Sequence, residues 1–394
     1  MFHTLTINQI AQEAAGAVAI TFDVPPALRE TFAFKPGQFL TLRQRINGVE
    51  QRRSYSICSP RSAMSRGELR VGIKPVEGGV FSNWAASQLK VGDTLDAMPP
   101  DGRFTPAGLS SVPFRGRAGV GASASTLHAA EATHRAGFAA GNIHRVGFAA
   151  GSGITPILSI IATTLAEEPA SRFTLVYGNQ RVGSILFHEA LQDLKDRYPA
   201  RLTLIHILSR QPQEVALLQG RLGKDKVNEL LATVLPADTI DEAFVCGPEG
   251  MLDACERALR AAGLTAEQIH TERFLASTPP GTMKSIAVPA ASTRATGEKA
   301  LETHHLQVVQ DGKTHRFDCG PQDRVLDVAL AGGLDLPWSC KGGVCCTCRA
   351  RVLQGQVQMD KNYTLEADEV AAGFVLTCQA RLLSHAVVVS YDER

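Results

Sequence analysis

Four cysteines limit what this chain can fold into more than any other feature. Cys340, Cys345 and Cys348 stand in C-x4-C-x2-C spacing within Cys340-Lys341-Gly342-Gly343-Val344-Cys345-Cys346-Thr347-Cys348, and Cys378 follows after 29 intervening residues. That is the spacing of the four thiolates of a [2Fe–2S] cluster. Two irons and two sulfides need four sulfurs in a small volume. Three can come from one tight loop, and the fourth must arrive from elsewhere in the fold. Gly342 and Gly343 remove side chains where backbone must come close, and their N–H groups can donate to sulfur. Zinc is the competing reading, but zinc ribbons are built on paired C-x2-C knuckles. Cys346 falls between the ligand positions and reads as a non-ligand. With nine cysteines in all, five of them after residue 339, the pattern is not a disulfide framework.

The chain of 394 residues has room for two to four domains. Its formal net charge of +1 gives no reason to expect nucleic acid or an anionic membrane as a partner. No apolar run approaches the ~18 residues of a membrane span. Met1-Phe2-His3-Thr4 does not open a basic-then-apolar signal sequence, so the cytoplasm is the expected location. Thiols stay reduced there, which favours cluster chemistry over disulfides.

Residues 1–104 read as all-β. Short apolar stretches such as Ala17–Phe22 and Phe39–Leu42 are bounded by Pro36-Gly37 and Asn47-Gly48, which suggests an antiparallel barrel. From residue 143 to 274 the pattern alternates. Strand-like runs (Arg145–Ala149, Phe173–Tyr177, Leu202–Leu208, Glu242–Cys246) are followed by helical ones (Pro156–Ala166, Leu186–Arg197, Lys224–Val234, Pro248–Ala261), the signature of a parallel α/β sheet. Residues 105–142 hold a local repeat, His134–Gly141 against His144–Gly151, and read as a disordered surface insertion. Residues 275–302, rich in Ser, Thr, Pro, Ala and Gly, read as a flexible tether. The cysteine-bearing unit occupies 303–394 and includes a short amphipathic helix over Val325–Leu330.

Two glycine turns mark a nucleotide crevice. In Gly151-Ser152-Gly153-Ile154-Thr155-Pro156 a strand runs through glycines into a helix, whose N-terminal N–H groups favour a pyrophosphate. Pro stands where the usual G-x-G-x-x-G fingerprint has its third glycine, so this is not the standard dinucleotide turn. Cys246-Gly247-Pro248-Glu249-Gly250-Met251 is a second strand-to-helix turn of the same sheet. Upstream, Arg52-Arg53-Ser54-Tyr55-Ser56 and Gly78-Gly79-Val80-Phe81-Ser82 combine a phosphate-pairing Arg, a stacking Tyr and a glycine–serine turn.

Together and in this order these motifs resemble the ferredoxin–NADP reductase superfamily, and the C-terminal segment resembles plant-type ferredoxins. The resemblance implies three domains: an FAD-binding antiparallel β-barrel, an α/β NAD(P)-binding domain and an α+β β-grasp ferredoxin domain. It implies that Arg53 binds flavin pyrophosphate, that Tyr55 stacks near the flavin and that Ser56 hydrogen-bonds near N5. Ile73 and Lys74 would present backbone to the pyrimidine edge, and Gly79, Val80 and Ser82 would hold phosphate. Gly151, Gly153, Thr155 and Pro156 would hold the nicotinamide cofactor, with Cys246 and Gly247 beside the nicotinamide. His270-Thr271-Glu272-Arg273-Phe274 matches the H-x-E-x-F end of the reductase domain, placing Glu272 and Phe274 by the flavin. Ser56, Cys246 and Glu272 are thus the candidate catalytic residues. Ser209-Arg210 matches a pair that commonly receives a 2′-phosphate, which favours NADPH over NADH.

The domain order further resembles the reductase components of bacterial phenylacetyl-CoA epoxidases. It implies that electrons pass from NADPH through FAD and the cluster, singly, to a di-iron oxygenase that binds the substrate. The same modules could serve another oxygenase or a hybrid-cluster protein. A redox sensor without turnover is the reading from a different class.

Overall fold

The computed structural model describes residues 2–109, 142–274 and 303–393. The insertion expected over 105–142 lies, except for 105–109 and 142, outside the described residues. The tether expected over 275–302 lies outside them entirely.

Six strands build the first sheet: β1 (His3–Gln12), β2 (Val18–Asp23), β3 (Phe39–Ile46), β4 (Val49–Ser56), β5 (Glu68–Ile73) and β6 (Thr94–Ala97). They run in the order β4-β3-β6-β1-β2-β5. An antiparallel bridge from Ile57, just past β4, to Val71 of β5 brings the two ends of the sheet together. Alternating inward residues such as Leu69, Val71 and Ile73 fill the interior with Leu5, Ile7, Ile20, Phe22, Leu40 and Leu42. The barrel also carries one α-helix. Val80–Gln88 forms a helix, α1, that buries Phe81, Ser82 and Ala85 against the barrel. Its signal is too short to register as periodicity.

The second sheet is parallel, in the order β11-β10-β7-β8-β9. Its strands are β7 (His144–Ala150), β8 (Arg172–Asn179), β9 (Leu202–Leu208), β10 (Glu242–Gly247) and β11 (Ile269–Arg273). The connecting helices are α2 (Ile154–Glu167), α3 (His188–Arg197), α4 (Lys224–Thr233) and α5 (Glu249–Ala261). β11 contains the H-x-E-x-F segment except its final Phe274, and its strand character was not legible in the sequence.

Barrel and parallel sheet form one compact unit, Phe2–Gln51 with Tyr55–Phe274. A single core joins them, with Ala17, Ala19 and Cys58 of the barrel packing with Ile154, Ile157 and Ile161 of α2. Helix α2 is buried along nearly its whole length for that reason. Ser159 Oγ donates to the Ser59 carbonyl at 2.7 Å, and Arg61 pairs with Glu167. Residues 105–109, read in the sequence as part of a disordered insertion, are ordered instead. Ala107 donates its N–H to Glu242 at 2.7 Å and accepts from Arg145 at 2.9 Å, and Leu109 is buried.

The C-terminal unit holds seven strands, β12 (His304–Gln310), β13 (Lys313–Cys319), β14 (Arg349–Gln354), β15 (Val357–Met359), β16 (Phe374–Leu376), β17 (Ala380–Leu382) and β18 (Ala386–Ser390), and two short helices, α6 (Val325–Ala331) and α7 (Ala367–Ala371). The main sheet runs β13-β12-β18-β14-β16. Its inner pair β12 and β18 is parallel and the other pairs are antiparallel. α6 covers one face with Val325, Leu326 and Ala329.

Among the described residues, no helix is long and apolar enough to cross a membrane.

Candidate functional site

Ser56, Cys246 and Glu272 meet where the barrel faces the C-terminal ends of the parallel strands. Cys246 and Glu272 are register partners on β10 and β11, and Ser56 Oγ donates to Glu272 Oε2 at 3.4 Å. The Glu272 residue keeps partial exposure, but its carboxyl end is withdrawn from water. Burial pushes its pKa up to about 8, opposed only in part by the Ser56 hydroxyl. At neutral pH this acid is therefore mostly protonated and can donate a hydrogen bond. Burial, with the nearby Glu272 charge, likewise holds the Cys246 thiol well above its usual range. A thiol held that high carries no charge at neutral pH.

The candidate flavin residues divide by exposure. Tyr55 meets the Phe81 ring at 5.6 Å between centroids, and Phe81 meets Trp84 edge-on at 5.7 Å. Ile73 is fully buried, whereas Arg53 and Val80 are exposed and Phe274 is 39% exposed. Gly79 caps α1. A Cβ there would lie 2.5 Å from Ser82 Oγ, so only glycine lets the turn close over the serine. Ser82 is held in turn by the Val76 N–H at 3.3 Å, and Asn83 Nδ2 fastens the Val76 and Gly79 carbonyls at 2.8 and 2.6 Å.

The nucleotide turn is shaped by two glycines. Gly151 has φ +54, and Gly153 passes against the Cys246–Gly247 backbone. Thr155 and Pro156 are buried in the first turn of α2, where Thr155 Oγ1 donates to the Ser152 carbonyl at 3.0 Å. At Gly247, a Cβ would press on Met251 and Ala150. One residue here escaped sequence reasoning. Tyr177, buried on β8, donates its hydroxyl to the Gly151 carbonyl at 2.8 Å. The side chain of Lys74, a candidate named for its backbone, also approaches this turn, its ammonium within 3.8 Å of where a Gly151 Cβ would be. Tyr177 carries no motif, because only the pairing of β7 with β8 brings its hydroxyl to the turn. Ser209 and Arg210 follow β9. Ser209 bonds to Asn179, and the exposed Arg210 is anchored through its backbone N–H, to the Gln180 carbonyl at 2.9 Å.

In the C-terminal unit the four expected ligand cysteines face each other as two contacting pairs, Cys340 with Cys345 and Cys348 with Cys378. Within the first pair the Cys345 thiol pulls Cys340 down to about 6, and the N–H groups of Gly342, Val344 and Cys345 add to this against burial. Gly342 N donates to Cys340 Sγ at 3.3 Å. Left-handed backbone at Lys341 (φ 49), Gly343 (φ 80) and Cys346 (φ 55) turns the loop around the sulfurs. Among the described residues, no three Cys, His, Asp or Glu side chains converge as they would on a single ion. Two pairs of thiols fit a binuclear cluster with one pair for each iron.

Three family models match the chain: an oxidoreductase FAD-binding domain over residues 5–105, an oxidoreductase NAD-binding domain over 148–257 and a 2Fe-2S iron-sulfur cluster binding domain over 308–383. The chain is 42% identical over its whole length to a component of the 1,2-phenylacetyl-CoA epoxidase of Escherichia coli (strain K12), covering 98% of that protein. The chain belongs to the ferredoxin–NADP reductase superfamily, in the branch with a C-terminal ferredoxin domain. A second relative in this branch is the ferredoxin reductase component of 3-ketosteroid-9-alpha-monooxygenase from Rhodococcus rhodochrous. It is 31% identical, with 98% of this chain and 96% of that one aligned. The fold of the whole chain also matches phthalate dioxygenase reductase, at a TM-score of 0.55 and 18% identity, covering 99% of this chain and 98% of that one. This superfamily member is an oxidoreductase with FAD, nicotinamide and [2Fe–2S] domains in that order.

Proposed function

We propose that this protein carries electrons from NADPH, through FAD and a [2Fe–2S] cluster, to a di-iron oxygenase, and that this partner is 1,2-phenylacetyl-CoA epoxidase in the cytoplasm. The observation that carries the reading is the 42% identity to the epoxidase component, aligned over all of this chain and 98% of that one.

When bound, the nicotinamide supplies a hydride, the flavin converts two electrons to single ones and the cluster passes one at a time. The residues of this chain bind and orient. Tyr55 and the Gly79–Ser82 turn hold the flavin at the barrel edge, with Arg53 on its pyrophosphate, Ile73 and Lys74 at its pyrimidine edge and Phe274 against the ring. Gly151, Gly153, Thr155 and Pro156 take the nucleotide, and Lys74 adds a cation at the turn. Buried Cys246 and the partly exposed Gly247 would offer a neutral floor for the nicotinamide ring. Protonated Glu272, fixed by Ser56, offers a proton or a hydrogen bond at the flavin without a competing charge. Arg210, with Ser209 before it, is the cation that would meet a 2′-phosphate, which supports NADPH. Cys340, Cys345, Cys348 and Cys378 hold the cluster.

The test has two stages. Anaerobic titration with NADPH, and with NADH in parallel, should bleach flavin and cluster absorbance together and produce a rhombic [2Fe–2S] EPR signal. Adding the epoxidase component should then give NADPH oxidation that depends on phenylacetyl-CoA. Turnover with a steroid-hydroxylating component instead would move the acceptor to that of the 31% relative.

A further inference from the structure

One buried side chain touches both halves of the cysteine cradle and has no part in the scheme above. Gln379, 2% exposed, follows Cys378. Its Nε2 lies 2.9 Å from the Lys341 carbonyl, 3.0 Å from the Cys378 carbonyl and 3.5 Å from Cys378 Sγ. All three neighbours are acceptors, so the nitrogen end of the amide must be the end that points at them. The two carbonyls use the two N–H protons, and the Cys378 side shares its proton with sulfur. The stem is fixed as well. Gly343, at φ +80, passes so close that a Cβ there would lie 3.3 Å from Gln379 Cγ. The Lys341 carbonyl belongs to the residue after Cys340, in the other thiol pair. One amide therefore spans from a ligand of one pair to the loop of the other.

We propose that the Gln379 side-chain amide is a positioning residue for the cluster, donating an N–H···S hydrogen bond to Cys378 and clamping the Cys340 loop to the Cys378 strand. The proposal rests on the cluster assignment made above. Adding an electron to the cluster increases the negative charge shared by its sulfurs. A donor to sulfur stabilises that reduced state and raises the potential. The backbone N–H of Gly342 does this for Cys340, and at Cys378 the side chain of Gln379 joins the backbone N–H of Gly343.

The experiment uses the full-length holoprotein, reduced and labelled with ¹⁵N at glutamine side-chain amides. Pulsed EPR is expected to show a ¹⁵N hyperfine coupling on the [2Fe–2S] signal that disappears in Gln379→Met, a variant of similar length without a donor. The loaded variant is expected to hold its electron about tenfold less well, a fall of about 59 mV for a one-electron couple. A [2Fe–2S] signal in the wild type without glutamine coupling overturns the proposal, and that measurement does not depend on whether the variant folds. An unchanged potential in loaded Gln379→Met overturns it too. A wild-type protein with no cluster signal overturns the cluster assignment itself, and the proposal with it.

Discussion

A Cβ atom on Gly153 would lie 2.0 Å from the carbonyl oxygen of Cys246 and 2.4 Å from its carbonyl carbon. The two turns that form the nucleotide crevice are thus in direct backbone contact, and neither can shift alone. Gly153→Ala must push the β7–α2 turn away from β10. Displacement of a bound reactant by about 1 Å can cost about a hundredfold in rate. Stopped-flow reduction of the flavin by NADPH is expected to slow by at least tenfold, with the flavin and cluster spectra unchanged.

Glu272 gives a signed pH dependence. Its pKa in the folded protein, about 8, is above that of an unfolded carboxyl, so the folded state holds the extra proton between the two values. Stability is therefore greatest at the acid end of that window and falls as pH rises toward 8. Above about 8 the buried charge imposes its full cost. Glu272→Gln is expected to remove this slope, so that melting temperatures measured from pH 5 to 9 converge at low pH and favour the variant at high pH.

Arg210 is exposed, with its backbone anchored to Gln180. A charge-assisted bond to a 2′-phosphate contributes about 1.5–3 kcal/mol. Arg210→Ala should raise KM for NADPH by roughly ten- to a hundredfold and leave KM for NADH nearly unchanged. Equal effects on both cofactors would remove the 2′-phosphate role.

Arg145 is fully buried, with Nε 2.6 Å from Glu242 and a second bond to Glu168. Burial alone would raise the Glu242 pKa, yet His270, Arg145 and the Ala107 N–H together hold it below the ordinary range. Removing one member leaves a buried charge unpaired, at about 3–5 kcal/mol. Arg145→Met should lower unfolding stability by that amount, and Arg145→Met with Glu242→Met should recover part of it in denaturant titrations.

Cysteine substitutions should separate ligands from bystander. Cys340→Ser, Cys345→Ser, Cys348→Ser or Cys378→Ser is expected to lose the cluster absorbance. Cys346→Ser, altered outside the two contacting pairs, should keep it, along with two irons per chain by metal analysis.

Much of the architecture could be read along the chain. The alternation from residue 143 onward located β7 to β10 and their helices to within two residues, because parallel strands buried on both faces read as continuous apolar runs. The C-x4-C-x2-C loop was legible because local spacing alone sets which sulfurs can converge. Helix α1 and strand β11 were not legible. The one is too short for a period to show, and the other is a strand only because it pairs with β10.

What the sequence determined by itself was the set of local reactive pieces: the cysteine loop, the glycine turns and the segments that carry Ser56 and Glu272. Their meeting was decided by tertiary packing. Ser56 and Glu272 are 216 residues apart, and only the core shared by the barrel and α2 brings them to 3.4 Å. The raised pKa of Glu272, the approach of Lys74 to Gly151 and the amide of Gln379 beneath the Cys340 loop have the same origin. Each depends on desolvation or on a contact between distant segments, and no local pattern in a chain encodes how much water the finished fold will exclude.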